Sequence, residues 1–318
     1  MTKHIDLQFP DAGARNLLIV VTGATASGKT ALAIELAQKL GTEILSADSR
    51  QIFRDIPIGT ARPSEAELAA APHHFIGTLP LDGYYSAACY EEEALRLLPD
   101  IFRRCGGRAI MAGGSMMYVD AVCSGIDLMP DVSEQNRRYA TELWQREGID
   151  GLIRELQIHD PKYLRTAPDL RNHKRLIHAL EVSLEAGRPY SSLLGREKTP
   201  RPFYILKLAI DYPREELFAR INARVEKMLE AGLLEEARRV YPLRHLNSLN
   251  TVGYKELFAY FDGKMDLPTA VARIQKNTRV YAKKQLTWLR RDPSVHWLAP
   301  HQPLLPQALS HLKQRINL

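Results

Sequence analysis

Gly23-Ala24-Thr25-Ala26-Ser27-Gly28-Lys29-Thr30 fits the spacing G-x-x-x-x-G-K-[ST] of a phosphate-cradling loop. Its flanks agree with the motif. Leu17–Val21 before it is a short, wholly apolar run that reads as a buried strand. Ala31–Leu40 after it reads as a helix, which Gly41 ends. Strand, loop and helix in that order are what the motif requires, and a chance Gly-rich turn would not bring them. Glycines at both ends let successive N–H groups converge on one anion, and the helix N-terminus adds partial positive charge. Lys29 supplies a mobile cation, and the Thr30 hydroxyl can ligate Mg²⁺. The motif predicts a protein that holds a di- or triphosphate.

The strand-helix alternation continues outward from the loop. Thr42–Ala47 reads as a second strand ending at Asp48, and Arg108–Ala112 as a third, closed by Gly113-Gly114. A helix starts at Met116. This rhythm predicts an α/β fold, a parallel sheet with helices on both faces, with ligands at the carboxyl ends of the strands. From about 131 to 195 the pattern turns charged and helical. Helical pieces fall near Ser133–Glu147, Gly151–Gln157 and Leu170–Ala186. This stretch reads as an inserted all-helical subdomain, with residues 1–130 and 196–318 forming the phosphate-loop core. A strand returns at Phe203–Ile210, and helices are expected from there to the C-terminus.

The chain has 318 residues, of which 45% are hydrophobic, enough for one large core or two modest ones. Its 43 Lys and Arg exceed its 37 Asp and Glu, and the pI is near 9.1. That mild excess is compatible with a nucleic-acid partner without demonstrating one. Cys89, Cys105 and Cys123 form no C-x-x-C pair, which argues against disulfides and a zinc module. No apolar run approaches a membrane span, and the N-terminus lacks a signal-peptide core. The reading is a cytoplasmic, reduced, monomeric protein without membrane contact.

Asp48 stands at a strand end beside the phosphate loop. It can orient or deprotonate a nucleophile, or it can cap the next turn. Gly113-Gly114-Ser115 allows close approach of the backbone to a ligand, with Ser115 facing the cleft or starting a helix. Arg220 has Glu216 one turn earlier, so a surface ion pair accounts for it. Arg224 has no acid at helical spacing, so an anion from elsewhere suits it better. His73-His74 lack a third ligand and read as structural residues in a loop.

Between Ala270 and Arg291 lie Arg273, Lys276, Arg279, Lys283, Lys284, Arg290 and Arg291, with no acid among them. On a helix these seven occupy an arc of about 140°. Val271, Ile274, Tyr281, Trp288 and Leu289 fall on another face. Solvated faces normally mix signs, so an unmixed stripe reads as a phosphate-backbone contact. A smaller basic cluster, Arg171, Lys174, Arg175 and His178, lies on the insertion. Two basic surfaces and one phosphate cleft suggest a folded RNA gripped from two sides.

Six segments together resemble the tRNA dimethylallyltransferase (isopentenyl-tRNA transferase) family, bacterial type. They are the phosphate loop, Ser46–Arg54, Ile58–Pro63, Ala112–Tyr118, Val252-Gly253-Tyr254 and Thr278–Arg290, in family order from about Leu17 to Leu298. The resemblance implies transfer of a dimethylallyl group from its diphosphate to the exocyclic amine of adenosine at tRNA position 37, beside the anticodon. Diphosphate is released and Mg²⁺ assists. By the same resemblance the phosphate loop, Gly23 to Thr30, holds diphosphate. Asp48 takes the amine proton, and Ser115, where many members have Thr, keeps a hydroxyl nearby. Arg224 matches an arginine near the diphosphate. Asp48, Ser49, Arg50 and Gln51 match the segment meeting the flipped base. Arg137, Lys174, Arg175 and His178 match contacts to the anticodon stem-loop. With them, Lys276, Lys283 and Lys284 on the basic helix are expected to grip the tRNA. Ala24 replaces a common Pro, and His178 a usual Arg. The zinc finger of eukaryotic members is absent.

A phosphate-loop nucleotide or nucleoside kinase, or a prenyltransferase for free adenine nucleotides, would explain the cleft but leave the basic stripe without a role. A nucleotide-gated RNA-binding module without catalysis would not need Lys29, Thr30 and Asp48 together.

Overall fold

The computed structural model describes residues 16–127, 129–195 and 200–316. The chain forms two compact units, one of residues 1–124 with 200–318, the other of residues 125–199. In the first, β1 (Leu17–Thr22) leads to α1 (Lys29–Leu40) and β2 (Ile44–Ser46). Then come α2 (Glu65–Ala70), β3 (His73–His74), α3 (Ala87–Arg104), β4 (Arg108–Gly113) and α4 (Met116–Ser124). The second unit holds α5 (Glu134–His159), α6 (Pro161–Thr166) and α7 (His173–Ala186). The first resumes with β5 (Tyr204–Ile210), α8 (Arg214–Glu230), α9 (Leu233–Val240), α10 (Tyr254–Phe261), α11 (Leu267–Leu289), β6 (Val295–Leu298) and α12 (Leu304–Ile316).

The six strands are all parallel, in the order β3-β2-β4-β1-β5-β6. Every residue of β1 is buried, as a central strand covered on both faces requires. Successive side chains divide between the faces. Leu17, Ile19 and Val21 pack with Leu32 and Leu36 of α1 and Leu312 of α12. Leu18 and Val20 pack with Leu98 and Phe102 of α3 and Val119 of α4. The expected doubly covered sheet is therefore present. β1 pairs with β4 on one side and β5 on the other, in register from Leu17 opposite Arg108 and Tyr204. Strand order reverses across β1, so its carboxyl end opens the crevice where such sheets bind ligands.

Two strands depart from the sequence reading. His73-His74 is an edge strand rather than loop: it pairs with Ile44-Leu45, and His74 Nε2 lies 2.6 Å from Glu43 Oε2. Arg104 Nε also bonds Glu43, which holds that carboxyl at about 2. Val295–Leu298 is a strand where only helices were expected. It pairs with Lys207–Ile210 and is braced by Lys207 Nζ on Asp292.

In the helical unit, α5 consists of two helical segments joined by a kink at Gly148, whose φ +65° and ψ −154° are non-helical, between the two expected pieces. Leu143, Leu152, Leu156, Tyr163, Leu176 and Leu180 form its own core. Asp160, fully buried, caps α6 through Tyr163 N–H and accepts two hydrogen bonds from Ser191. No helix among the described residues is long and apolar enough to cross a membrane.

Candidate active site

β1 delivers the chain into the phosphate loop. Gly23 sits at φ +144° and Gly28 at φ +85°, where side chains are strained, and a Cβ on Gly23 would lie 3.0 Å from Ser27 Oγ. Gly28 caps α1, so the amides that open this helix face a cavity of about 560 Å³ lined by Ala26, Gly28, Lys29, Thr30 and Ala31. Across it, α8 contributes Arg220, Arg224 and Lys227. With Lys29 these make four cations around one carboxylate, Glu67. Burial, then the Arg224 guanidinium, lowers the Lys29 ammonium to about 8 against the pull of Asp48. Burial also lowers Arg224, opposed by Asp48 and Glu67. A site that presses cations together in this way is completed by a multivalent anion.

Not every loop residue faces that cavity. Gly23, Ala24 and Ser27 lie buried beneath it, Ala24 against Leu217, Ile221 and Ala282. Thr25 faces a neighbouring cavity, and its amide is taken by Gln285. Arg220 makes no pair with Glu216. Its Nε donates to the Ala26 carbonyl at 2.9 Å and its guanidinium stacks on Tyr212, while Glu216 pairs with His301. Arg220 therefore belongs to the anion site, which the one-turn spacing to Glu216 concealed.

The neighbouring cavity, about 370 Å³, has a polar side and an apolar side. Asp48, Ser49, Arg50 and Ser115 form the first; Ile221, Val225, Met228, Leu233, Val252 and Ile274 form the second. Ala61 and Arg224 line both cavities, so the two adjoin. Asp48 Oδ1 accepts from the amides of Arg50 (2.9 Å) and Gln51 (3.3 Å), so Asp48 caps the turn and also lines the cavity. Ser115 Oγ accepts from Ser49 N–H at 2.8 Å and donates to Ser49 Oγ, locking this turn to the end of β4. The Gln51 side chain holds a loop: it donates to the carbonyls of Thr60 and Ala61 and accepts from Ser46 Oγ. Arg50 reaches the carbonyls of Asn247 and Ser248. Gly113 and Gly114 are both crowded by neighbouring protein atoms. A Cβ would meet Ala47 O at 2.1 Å or Gln285 Nε2 at 2.4 Å.

The basic residues are exposed with one exception. Arg273, Lys276, Lys283, Lys284, Arg290 and Arg291 face solvent, whereas Arg279 bonds Asn222 and lies with Lys283 over Phe218. Arg290 pairs with Asp211. The buried face of α11 is Ala270, Ile274, Ala282, Gln285 and Leu289. Tyr281 and Trp288, which the sequence places on a face apart from the cations, are 44% and 41% exposed and border the basic arc. Trp288 Nε1 donates to Asp120. In the helical unit Arg137, Lys174 and Arg175 are exposed, and His178 is tied to Glu181 at 3.1 Å.

A phosphate loop ringed by cations, opening beside a half-apolar chamber with a carboxylate at its polar edge, is the architecture of an enzyme acting on a diphosphate ester with a hydrocarbon end. The chain belongs to the IPP transferase family, whose family model matches residues 51–292. It is 52% identical over 283 residues to tRNA dimethylallyltransferase 2 of Porphyromonas gingivalis, covering 89% of this chain and 94% of that one. With tRNA dimethylallyltransferase 1 of Bacteroides thetaiotaomicron it shares 48% identity over 93% and 97% of the two chains. Among solved structures it resembles the tRNA isopentenylpyrophosphate transferase of Bacillus halodurans (31% identity, TM-score 0.69, 95% and 96% covered). It also resembles a eukaryotic dimethylallyltransferase acting on tRNA (26%, TM-score 0.74, 95% and 77% covered).

Proposed function

We infer that this chain transfers a dimethylallyl group from dimethylallyl diphosphate to the N6 amine of adenosine at tRNA position 37, giving N6-isopentenyladenosine and diphosphate. The pair of adjoining cavities carries this reading. One is built for a polyanion; the other offers apolar walls to a short hydrocarbon and a carboxylate to an amine. In the reaction the allylic C–O bond breaks as the N6–C bond forms. The electron pair leaves with the diphosphate, and the amine proton passes to Asp48. Lys29, Arg220, Arg224 and the first amides of α1 counter the charge that grows on the leaving oxygen. Ser115 and Ser49 hold the Asp48 turn against β4. The adenine, drawn from its loop stack, enters beside Asp48.

The donor set suits an Mg²⁺ that arrives on the diphosphate. Thr30 offers one hydroxyl in the anion cavity, and no cluster of three His, Cys, Asp or Glu stands ready to cage an ion among the described residues. Thr30 would hold the ion, which supplies further counter-charge to the departing diphosphate.

The cations of α11 and those of the helical unit, Arg137, Lys174 and Arg175, supply contacts to the anticodon stem-loop. Tyr281 and Trp288 beside Lys284 suit unstacked bases. Three free thiols support a reducing, cytoplasmic setting. The test is to mix the protein with dimethylallyl diphosphate and an unmodified tRNA, without ATP, and weigh the nucleosides. One adenosine should gain one five-carbon unit. No gain, or a gain that requires ATP turnover, would overturn the reading.

A further inference from the structure

Glu236 is a buried carboxylate, 2% exposed, that makes no ion pair among the described residues. Its Oε2 accepts from the Ile58 amide at 2.9 Å. Its Oε1 accepts from the Gly59 amide at 2.7 Å and from Tyr254 Oη at 2.5 Å. Burying this carboxylate costs desolvation that its three hydrogen bonds offset, and an apolar replacement would leave those three donors unpaired. What the carboxylate supplies is direction: three donors aimed at one carboxylate fix residues 58 and 59 against Tyr254, itself fully buried. Gly59 is seated so closely that a Cβ would lie 2.2 Å from Tyr254 Oη. From the opposite side the Gln51 amide holds the carbonyls of Thr60 and Ala61. The loop between these two grips lines both cavities, with Gly59 and Thr60 on the half-apolar one and Ala61 on both.

We propose that Glu236, acting through this loop and with Tyr254, is a positioning residue that sets the wall where the diphosphate cavity passes into the hydrocarbon cavity, and so restricts the prenyl chain to five carbons. The proposal rests on the transferase reading above. Releasing the loop widens the half-apolar chamber while leaving Lys29, Arg224 and Asp48 in place.

The test is a competition. Dimethylallyl diphosphate and its ten-carbon homologue, geranyl diphosphate, are offered together to one tRNA sample, and the two modified adenosines are weighed. The product ratio does not depend on how much of the enzyme is folded, so a merely structural role leaves it unchanged. Glu236→Gln, which sets an NH₂ against the Ile58 N–H, should lower the five-carbon preference at least about tenfold. Tyr254→Phe, which keeps both backbone bonds, should lower it less and serves alone if Glu236→Gln does not fold. A wild-type enzyme that transfers dimethylallyl, with neither folded variant shifting the ratio, overturns this proposal alone. A wild-type enzyme that transfers from neither diphosphate removes the transferase reading and this proposal with it.

Discussion

Gln285 of α11 accepts a hydrogen bond from the Thr25 amide at 2.9 Å, across 260 residues of sequence. The same side chain, 3% exposed, donates to the Gly114 carbonyl at 2.8 Å. One amide thus ties the phosphate loop to the turn that carries Ser115. Gln285→Ala leaves the part-buried Thr25 amide without its protein partner, at a cost of about 1 kcal/mol, and leaves the Gly114 carbonyl only the long contact from Tyr281 Oη at 3.5 Å. The expected outcome is a lower urea midpoint, with single-turnover transfer slowed about tenfold or more at a urea-free temperature where the variant is folded. Normal transfer in such a variant would mean the two loops keep their spacing without it.

Lys29 is expected to give the proposed reaction an alkaline limb. Its ammonium form, the one the proposed diphosphate site uses, prevails below about 8 and is lost above. kcat/KM for dimethylallyl diphosphate reports free-enzyme ionisations. It should fall as pH rises through this value, and Lys29→Arg, which stays protonated, should remove that fall. A limb that persists unchanged in Lys29→Arg would assign it to another group. Lys29→Ala should weaken diphosphate binding at every pH.

Asp48 caps its turn and, in the proposed reaction, takes a proton, two duties that two substitutions separate. Asp48→Asn keeps an acceptor for the Arg50 and Gln51 amides but cannot take a proton. Single-turnover transfer should fall roughly 10²-fold or more, with tRNA and diphosphate binding nearly intact. Asp48→Ala also frees the two amides, and should add a loss of about 1 kcal/mol in stability. Near-normal transfer by Asp48→Asn would remove Asp48 from proton transfer.

Neutralising Lys276, Lys283 and Lys284 together should weaken tRNA binding and flatten the dependence of log affinity on log salt by up to about 3 units, at roughly one per lost phosphate contact. Diphosphate binding should not change. An unaltered salt slope with intact tRNA affinity would leave the RNA to the helical unit. Lys283 also covers Phe218, so its replacement is expected to carry a small stability cost of its own.

What could be read from the chain was what is contiguous in it. The phosphate loop, its strand and its helix lie within about two dozen residues, and their chemistry is written in order. β3 has two residues, too few for any period to show, and β6 is four residues with an exposed His296. Periodicity gave the angular spread of α11 but not which flank met the core, so it could not tell buried Ile274 and Leu289 from exposed Tyr281 and Trp288 on the face apart from the cations. Arg220 and Glu216 had plausible local partners in each other, yet each is claimed by a residue remote in sequence. Glu236 carried no local signal, since the amides it holds are 177 and 178 residues away.

The two margins of the sheet bear on self-association. One is a two-residue strand of histidines and the other a four-residue strand, on a sheet whose inner members run to seven. A foreign strand laid against either margin would find only a few unpaired amides and carbonyls before the ladder ended. His74 is clamped to Glu43 at the first, and the second is followed by Pro300 and the turn into α12. The sheet stops itself, so crowding or heating should drive this protein toward disordered clumps sooner than toward ordered edge-to-edge stacks.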